Sequence, residues 1–595
     1  MAIKPIRKKP AFSKMTIAVT LSLHLSIPLA VSPVLAGSPR SKDESLGTPL
    51  GTPLGTLSVY QNSTAMSFDD VAVRCLTEAH QILLGKKNIS EDSLPIEKVQ
   101  LTAESLKWPS LNFPAVFGQL LSVSKIASPL IKHVINSIPT ETDEGQESFF
   151  NLANKIFHLR KALFSRFAVN RLNQEEIHRN AYLLQLLGEE VLHIGNNLKG
   201  GKHQSRFLMS FKTAEKESRS AEVIKDLVVE NGDILLSKAT GSLSSWFIAQ
   251  SSLRPQFFSH STPAYIDGDK ALSPEAFIED GLKIRKLHLE EPAQEHNDQA
   301  DNENLDGSSL VKTRLFVYRG KQSLANKLSN GIDQLIHQLK DSVKEKDVNW
   351  DSAENKLPTL LPYDFDFNME DTSKVSCVET SMMAANLGGA TKDQLPYSTT
   401  VLNRFKPELF DLQTKILGII DPKKPIGAPG DLELNASYEL TGMAINLEKL
   451  QQDRIEFSII RSLLRNLKAN QDGFGRLVSS IANLGNEKLD VKTKNKVASI
   501  LANNSKIKSE NKLKLQKLLE QIPADATLKQ VMFFGILNQA LGPKIRDTVM
   551  AADHQSGDSL SHEELIAVAD KSLQSFIRED LQTWMGMLQK LTAKK

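Results

Sequence analysis

The spacing of the apolar residues changes twice along this chain of 595 residues, and the spacing limits which elements each part can form. From 66 to 219 apolar residues recur every three or four positions, which is typical of helices with one buried face. From 220 to 441 short runs such as Leu282–Leu287 alternate apolar and polar residues, which indicates strands. After Ser437 the helical spacing returns. The pattern predicts an α+β fold, with a mixed region between two α-helical regions, the second of which spans 442–595.

The first 65 residues are expected to lie outside the folded domains. Residues 1–36 have the parts of a secretory signal peptide: a basic start, an apolar stretch interrupted by Pro28 and Pro33, and a small-residue pattern ending at Ala36. A lone membrane anchor is the alternative, but the prolines and the cleavage pattern favour a signal peptide. Residues 37–65, rich in Gly, Pro, Ser and Thr, are expected to be a linker. We therefore expect a periplasmic or secreted bacterial protein without stable membrane insertion after cleavage.

The charge balance and the cysteine count exclude several classes of protein. Lys plus Arg number 72 and Asp plus Glu number 70, so the chain is not a polybasic nucleic-acid-binding protein. Its 2 cysteines exclude a disulfide scaffold and a multi-cysteine zinc module. Glu175-x-x-His178 and Glu190-x-x-His193 are similar to di-iron motifs, but both pairs lie on one predicted helix, and we interpret them as solvated helix faces. We expect neither a metal nor a cofactor.

One cysteine, Cys377, lies where a helix is expected to begin. The residues after it are compatible with a helix that stops at Gly388-Gly389, and a helix N-terminus favours the thiolate, which is the nucleophilic form. His260, at the start of a predicted strand, is the best candidate for the base. Glu275, further along the chain, is a candidate to hold the imidazole tautomer. The alternative is that the three are a buried cysteine, a strand histidine and a carboxylate at a helix start.

Six short motifs in the mixed region resemble those of the permuted papain-like amidases, the YiiX and YaeF group, which is related to the NlpC peptidases. The resemblance covers about residues 222–441, and the histidine precedes the cysteine, as in that group. Relatives carry Ser or Thr after the cysteine, where this chain has Val378. In chain order the motifs are Gly232-Asp233-Ile234-Leu235, Ser259-His260, Glu275-Ala276, Asp280-Gly281, Tyr363-Asp364-Phe365 and Cys377-x-Glu379.

The resemblance implies a fold and a set of site residues. The fold would be a permuted papain-like (NlpC-like) core over 220–441, with an antiparallel sheet and a helix that bears the cysteine. An acidic, amide-rich stretch at 291–310 is expected to be an exposed insertion in this domain. The implied site residues are the nucleophile Cys377, the base His260, the third catalytic residue Glu275 and, for the substrate pocket or the oxyanion, Tyr363 and Ser376.

The function that the resemblance implies is an exported, thiol-dependent hydrolase of the amidase or peptidase type. It would cleave an amide bond, or an ester or thioester bond, through an acyl-enzyme. A peptidoglycan peptide or another acylated component of the cell envelope would be the substrate. The rival interpretation is a non-catalytic envelope adaptor, whose papain-like core is inactive and whose helical regions bind a protein partner. A nucleophilic Cys377 is expected to react with iodoacetamide at about pH 6–7 faster than Cys75, unless the two cysteines form a disulfide.

Overall fold

Ten strands form three antiparallel sheets in the part of the chain that this structure, a computed structural model, describes. The central sheet has five strands, a second sheet has three, and the remaining two strands form a pair. The strands are β1 (Arg206–Ser210), β2 (Ser220–Ile224), β3 (Leu227–Glu230), β4 (Ile234–Ala239), β5 (His260–Pro263), β6 (Tyr265–Asp267), β7 (Lys270–Phe277), β8 (Gly281–Lys286), β9 (Lys312–Gly320) and β10 (Tyr438–Asn446).

The described residues are five helical positions between Val73 and Gln81 and, with gaps, residues 143–592. They belong to one compact unit, Ser67–Lys595. The longer gaps, which contain at most a few described residues, lie at 288–311, 344–356, 365–372, 398–426 and 506–526. The predicted signal peptide, the predicted linker, the predicted insertion and Cys75 lie outside the described residues.

The central sheet has the strand order β1-β10-β9-β4-β5. The consecutive residues Ile234, Leu235 and Leu236 of β4 are all 0% exposed. Because neighbouring side chains of a strand point to opposite faces, both faces of the sheet are covered at β4. Leu236 lies opposite Phe316 of β9, which is also fully buried, so the hydrophobic core continues across the middle of the sheet.

The second sheet, in the order β6-β7-β8, follows directly after β5. Its first hairpin turns at Gly268, whose φ of 63° is in the left-handed region that favours glycine. Thr262 Oγ1 of β5 donates a hydrogen bond to Pro274 O of β7 at 3.2 Å. This bond joins the edge of the central sheet to the second sheet, so β5 lies between them.

Twelve helices surround the sheets in the described part of the chain. They comprise an N-terminal pair, three helices within the mixed region and a C-terminal group of seven, and the fold is therefore α+β, as the sequence predicts. The helices are α1 (Asp143–Asn170), α2 (Gln174–Asn196), α3 (Leu243–Ala249), α4 (Ser323–Asp341), α5 (Cys377–Leu387), α6 (Leu447–Ala469), α7 (Phe474–Ala482), α8 (Val491–Ala502), α9 (Leu528–Ile536), α10 (Gly542–Gln555), α11 (His562–Glu579) and α12 (Leu581–Thr592), besides a 3₁₀ turn at Pro429–Leu434.

Two glycines bring α4 and α5 into backbone contact. A Cβ at Gly331 would lie 1.9 Å from Ala384 O, and one at Gly388 would lie 1.8 Å from Lys327 O. No real Cβ approaches a backbone atom so closely, so only glycine fits at either position without separating the helices. The helix that begins at Cys377 is therefore held against α4 along its C-terminal half.

Two strands lie where the sequence predicted helix. β1 falls within 66–219, and β10 begins at Tyr438, directly after the point where helical spacing was expected to return. β10 lies between β1 and β9, and nearly all of its residues are buried. Burial on both faces removes the alternation of apolar and polar residues by which a strand is recognised, and pairing with distant strands decides the conformation instead.

A network of buried charges joins the central sheet to the helices. The Arg314 guanidinium of β9 contacts the carboxylates of Glu189 on α2 and, at 2.5 Å, of Asp453 on α6. The Lys238 ammonium of β4 is paired with Asp453 and lies 4.2 Å from the centre of the Trp246 ring. All four charged side chains are at least 95% buried, so each one depends on its partners for compensation.

A second buried group surrounds the carboxylate of Glu190. Arg454 binds it through two hydrogen bonds of 2.8 and 2.9 Å, His80 Nδ1 lies 2.5 Å from it, and His562 Nε2 lies 3.3 Å from it. His193, one turn further along α2, is also buried. The interpretation of Glu190 and His193 as a solvated helix face was wrong, because α6, α11 and the helical residues near His80 cover this face of α2.

We expect this histidine group to make the protein sensitive to mild acid. Burial lowers the pKa of His193 and of His562 in the fold, so below the ordinary value of 6.5 the unfolded chain binds protons more readily. The contribution of the two neutral histidines to the free energy of unfolding is fully present above pH 6.5. It is lost as the pH falls, by up to about 1.4 kcal/mol per pH unit for each histidine. Urea unfolding between about pH 7.5 and pH 5.5, followed by circular dichroism, measures this slope.

A matched pair of variants assigns the slope to these positions. His562→Gln is expected to reduce the pH dependence, because glutamine can still donate to Glu190 but does not titrate. His337→Gln is the control, since His337 lies on the surface of α4 with 79% of its side chain exposed. Equal slopes in His562→Gln and in the unmodified protein would contradict the prediction.

Candidate active site

Cys377 is the first residue of α5, and a local hydrogen bond fixes this start. The Glu379 carboxylate accepts a hydrogen bond from the backbone N–H of Ser376 at 2.5 Å, as in the reciprocal capping motif of helix N-termini. Ser376 has the extended backbone of an N-cap residue. Thr380 Oγ1 donates to Cys377 O at 2.7 Å. The helix therefore begins at Cys377, as the sequence predicts.

The Cys377 thiol is buried, and it is hydrogen-bonded to the backbone of the residue that precedes β5. Sγ donates to Ser259 O at 3.9 Å. Burial raises the pKa of Cys377 to about 11, and the nearby Glu379 carboxylate also raises it. Backbone N–H groups of Ser261, Val378 and Cys377 itself favour the thiolate but do not outweigh burial. The helix N-terminus predicted a thiolate here, but with this pKa the thiol is neutral at pH 7.

His260 and Glu275 lie close together on neighbouring strands. His260 Nε2 is 3.8 Å from Glu275 Oε1, and both side chains are buried. The His260 ring stacks on Phe277, with ring centres 4.7 Å apart and an angle of 12° between the planes. Glu275 lies within β7, so it is not a carboxylate at a helix start. Phe277 fixes the plane of the imidazole, and the edge with Nε2 faces the carboxylate.

The thiol and the imidazole lie on elements in direct contact, since α5 packs against both β5 and β7. Cys377 Sγ contacts the carbonyl of Ser259 and is close to the amide of Ser261, the residues on either side of His260. Among the described residues, no hydrogen bond joins Sγ to the imidazole. Catalytic hydrogen bonds are often long in proteins without bound substrate, so this geometry is compatible with a thiol and its base before substrate binding.

Tyr363 and Ser376 lie beside the start of α5. Tyr363 is 2% exposed and forms a parallel bridge with Val375, and Asp364 N donates to Val375 O at 3.1 Å. Ser376 is 0% exposed and is the N-cap residue. Both residues therefore shape the backbone that leads into Cys377, and neither side chain is open to solvent.

Three hydroxyl groups next to the thiol were missed by the sequence analysis. Ser261 Oγ lies 3.1 Å from Ser381 Oγ and is also hydrogen-bonded to the hydroxyl of Tyr397. Ser381 is one helical turn after Cys377, and Ser261 directly follows His260, so the sequence contained a signal for both serines. No motif marks Tyr397, which enters the site through the fold alone.

No protein-family model, curated protein or solved structure matches this chain.

Two further properties concern the described residues as a whole. None of the helices in that part of the chain combines the length and the apolar character needed to cross a bilayer. Within the same residues, no three or more His, Cys, Asp or Glu side chains are grouped in a way that would hold a metal ion.

The neutral thiol leads to a prediction about alkylation. In a Cys75→Ser protein, the rate at which iodoacetamide modifies Cys377 is expected to rise about tenfold per pH unit between about pH 8 and pH 10, because only the thiolate reacts and its pKa is about 11. In urea the rate is expected to level off near the ordinary cysteine pKa of about 8.5. Mass spectrometry of the modified peptide measures both profiles.

The opposite profile would identify a preformed ion pair. If native Cys377 reacted faster than the urea-unfolded thiol at about pH 6–7, an ionised sulfur beside a protonated imidazole would be required. A native rate that levels off below about pH 8 would have the same meaning. Either result would contradict the neutral thiol.

Proposed function

We propose that this protein is an exported, thiol-dependent hydrolase with a permuted papain-like core, as the resemblance to the YiiX and YaeF group implies. The observation that carries the proposal is the His260–Glu275 pair on β5 and β7, against which the helix beginning at Cys377 packs. A nucleophile, a base and a group that orients the base are the three parts that thiol acyl transfer needs. The proposed substrate is an amide, ester or thioester of the cell envelope, such as a peptidoglycan peptide.

In the proposed reaction His260 takes the thiol proton as Cys377 Sγ attacks the carbonyl carbon. Nε2 of His260 faces Glu275, so Nδ1 is the nitrogen assigned to this proton. The carbonyl oxygen becomes negative in the tetrahedral intermediate, and the backbone N–H of Cys377, at the open end of the helix, is the proposed donor to it. The imidazolium then gives its proton to the leaving amine or alcohol, and an acyl thioester remains on the cysteine.

Hydrolysis of this thioester completes the cycle. His260 takes a proton from water, the resulting hydroxide attacks the thioester carbonyl, and the sulfur leaves as the thiol after receiving the proton back. Because the thiol is neutral at rest, the base must act in the attacking step rather than before it. Glu275 holds the imidazole orientation and stabilises the imidazolium.

The rival function, a non-catalytic envelope adaptor, is favoured by one specific observation. The thiol is buried and its pKa is about 11, which are the properties of a structural cysteine rather than of a preformed nucleophile. In that case the helical regions would carry the function by binding a protein partner. The two proposals differ in whether an activated acyl group transfers to Cys377.

We expect p-nitrophenyl acetate to acetylate Cys377 and to release p-nitrophenolate in a Cys75→Ser background. Cys377→Ala is expected to abolish release while leaving the circular dichroism spectrum unchanged.

His260→Ala is expected to lower the acylation rate by about 10²–10⁴-fold, the usual contribution of a general base. Glu275→Gln is expected to cause a smaller loss, because it removes the charge but keeps an oxygen that can accept the Nε2 proton. Absorbance of p-nitrophenolate and the mass of the cysteine peptide measure these outcomes.

His158→Ala is the matched control for the base. His158 lies on the exposed face of α1, with its ring against Phe211 at 5.1 Å between centres. It is expected to leave the acylation rate unchanged. Equal release by the Cys377→Ala variant and its parent would refute the hydrolase and leave the adaptor.

A further inference from the structure

The three hydroxyl groups beside the thiol connect the two elements that carry the proposed reaction. Ser261 is on β5, next to His260, and Ser381 is on α5, one turn after Cys377. Their Oγ atoms lie 3.1 Å apart, and the Tyr397 hydroxyl bonds to Ser261 Oγ from the segment after α5. Ser261 and Ser381 are 0% exposed and Tyr397 is 4% exposed, so the bonds are shielded from water. We call these three side chains the hydroxyl cluster.

Ser261 contacts the sulfur of Cys377 through its backbone, while its side chain belongs to the hydroxyl cluster. Its N–H is one of the amides that favour the Cys377 thiolate. Sγ also lies 3.9 Å from Ser259 O, so the sulfur sits against the short backbone segment that the hydroxyl cluster anchors. A displacement of Ser261 away from α5 would withdraw this N–H from the sulfur.

Tyr397 is suited to hold Ser261 because its hydroxyl remains protonated. Burial raises the pKa of Tyr397, and the neighbouring Cys377 and Asp431 raise it as well, which exceeds the opposing effect of the bonds with the two serines. The phenol is therefore a permanent donor at the working pH. Tyr397 lies in the segment after α5, and its bond to Ser261 Oγ connects this segment to β5.

We propose that Tyr397 is a positioning residue for Cys377: its hydroxyl fixes Ser261 between β5 and α5 and so keeps the Ser261 N–H on the sulfur as the sulfur becomes negative. The consequence for catalysis rests on the proposed hydrolase function, whereas the effect on the thiol itself does not. A hydrogen bond to a charged group is stronger than one to a neutral group, so this donor contributes most in the attacking step.

Other groups that act on the sulfur come from every element around it. Glu379 on α5 disfavours the thiolate. His260 on β5 and Glu275 on β7 form the pair described above, and Asp431 of the 3₁₀ turn lies close to Tyr397. None of these groups is altered by removing the Tyr397 hydroxyl, so a change in thiol reactivity would report on the hydroxyl cluster.

The test compares Tyr397→Phe with Tyr438→Phe in a Cys75→Ser background. Tyr438 is a matched control because it is also buried and its hydroxyl donates to Gln394 O, at 2.8 Å, in the same segment after α5. Tyr397→Phe is expected to slow iodoacetamide alkylation of Cys377 about tenfold at each pH between about pH 8 and pH 10, as one stabilising bond to the thiolate is weakened. Tyr438→Phe is expected to leave the rate unchanged.

The sign of the effect separates positioning from a merely structural role. Looser packing would expose the thiol and speed alkylation, whereas loss of the N–H contact slows it. Equal or faster alkylation in Tyr397→Phe, or the same slowing in Tyr438→Phe, would overturn the proposal. If Tyr397→Phe does not fold, Ser261→Ala makes the same test, because it keeps the amide but removes the side chain that anchors it.

A second readout separates this proposal from the hydrolase proposal. If Cys377 is acylated by p-nitrophenyl acetate, Tyr397→Phe is expected to lower kcat about tenfold with little change in KM, as for an interaction made in the transition state. If no acylation occurs in any variant, the hydrolase proposal fails, and slower alkylation of Tyr397→Phe still supports the positioning of the sulfur. Acylation together with unchanged alkylation and kcat in Tyr397→Phe refutes the positioning role alone.

Discussion

The need to compensate buried charge decides how the helices sit on the central sheet. Arg314 and Lys238 project from neighbouring strands, and Glu189 and Asp453 meet them from α2 and α6. Removing one member of such a pair leaves a buried charge without compensation, at a cost of about 3–5 kcal/mol. A shift of either helix by one turn would separate these partners. Since β4 carries Lys238 and pairs with β5, the same constraint holds the strand on which His260 lies.

The site shows how burial and a helix N-terminus compete for the protonation of a thiol. The end of α5 supplies amides that stabilise a thiolate, but the packing of α5 on α4 and β5 removes the sulfur from water, and burial has the larger effect. The Gly331 and Gly388 contacts are part of this packing, because they allow α5 to approach α4 closely. A neutral thiol is also poorly reactive toward oxidants, which attack the thiolate. The resting protein therefore protects the residue proposed as its nucleophile.

Local sequence patterns predicted the elements around the site better than they predicted the strands β1 and β10 of the central sheet. The Cys377 helix, its stop near Gly388 and the strand at β8 follow from capping residues, glycines and alternation, which act over a few residues. β1 and β10 were not predicted, because their conformation comes from pairing between segments more than 200 residues apart. Tyr397 and the ion-pair partners of Glu190 were missed for the same reason. The candidate residues His260 and Glu275 could be named from sequence, but their 3.8 Å separation could not.

The group around Glu190 limits when the protein can complete its folding. Its carboxylate is contacted by His80, Arg454 and His562, which are separated by hundreds of positions along the polypeptide. Contacts of this kind form slowly, because a long loop must close before any of them is gained. While the chain is being synthesised, the set of partners around this carboxylate stays incomplete until the segment bearing His562 has left the ribosome. The group around Glu190 is thus completed only after His562 has emerged, and until then the growing chain exposes part of this charged and apolar face to chaperones and proteases.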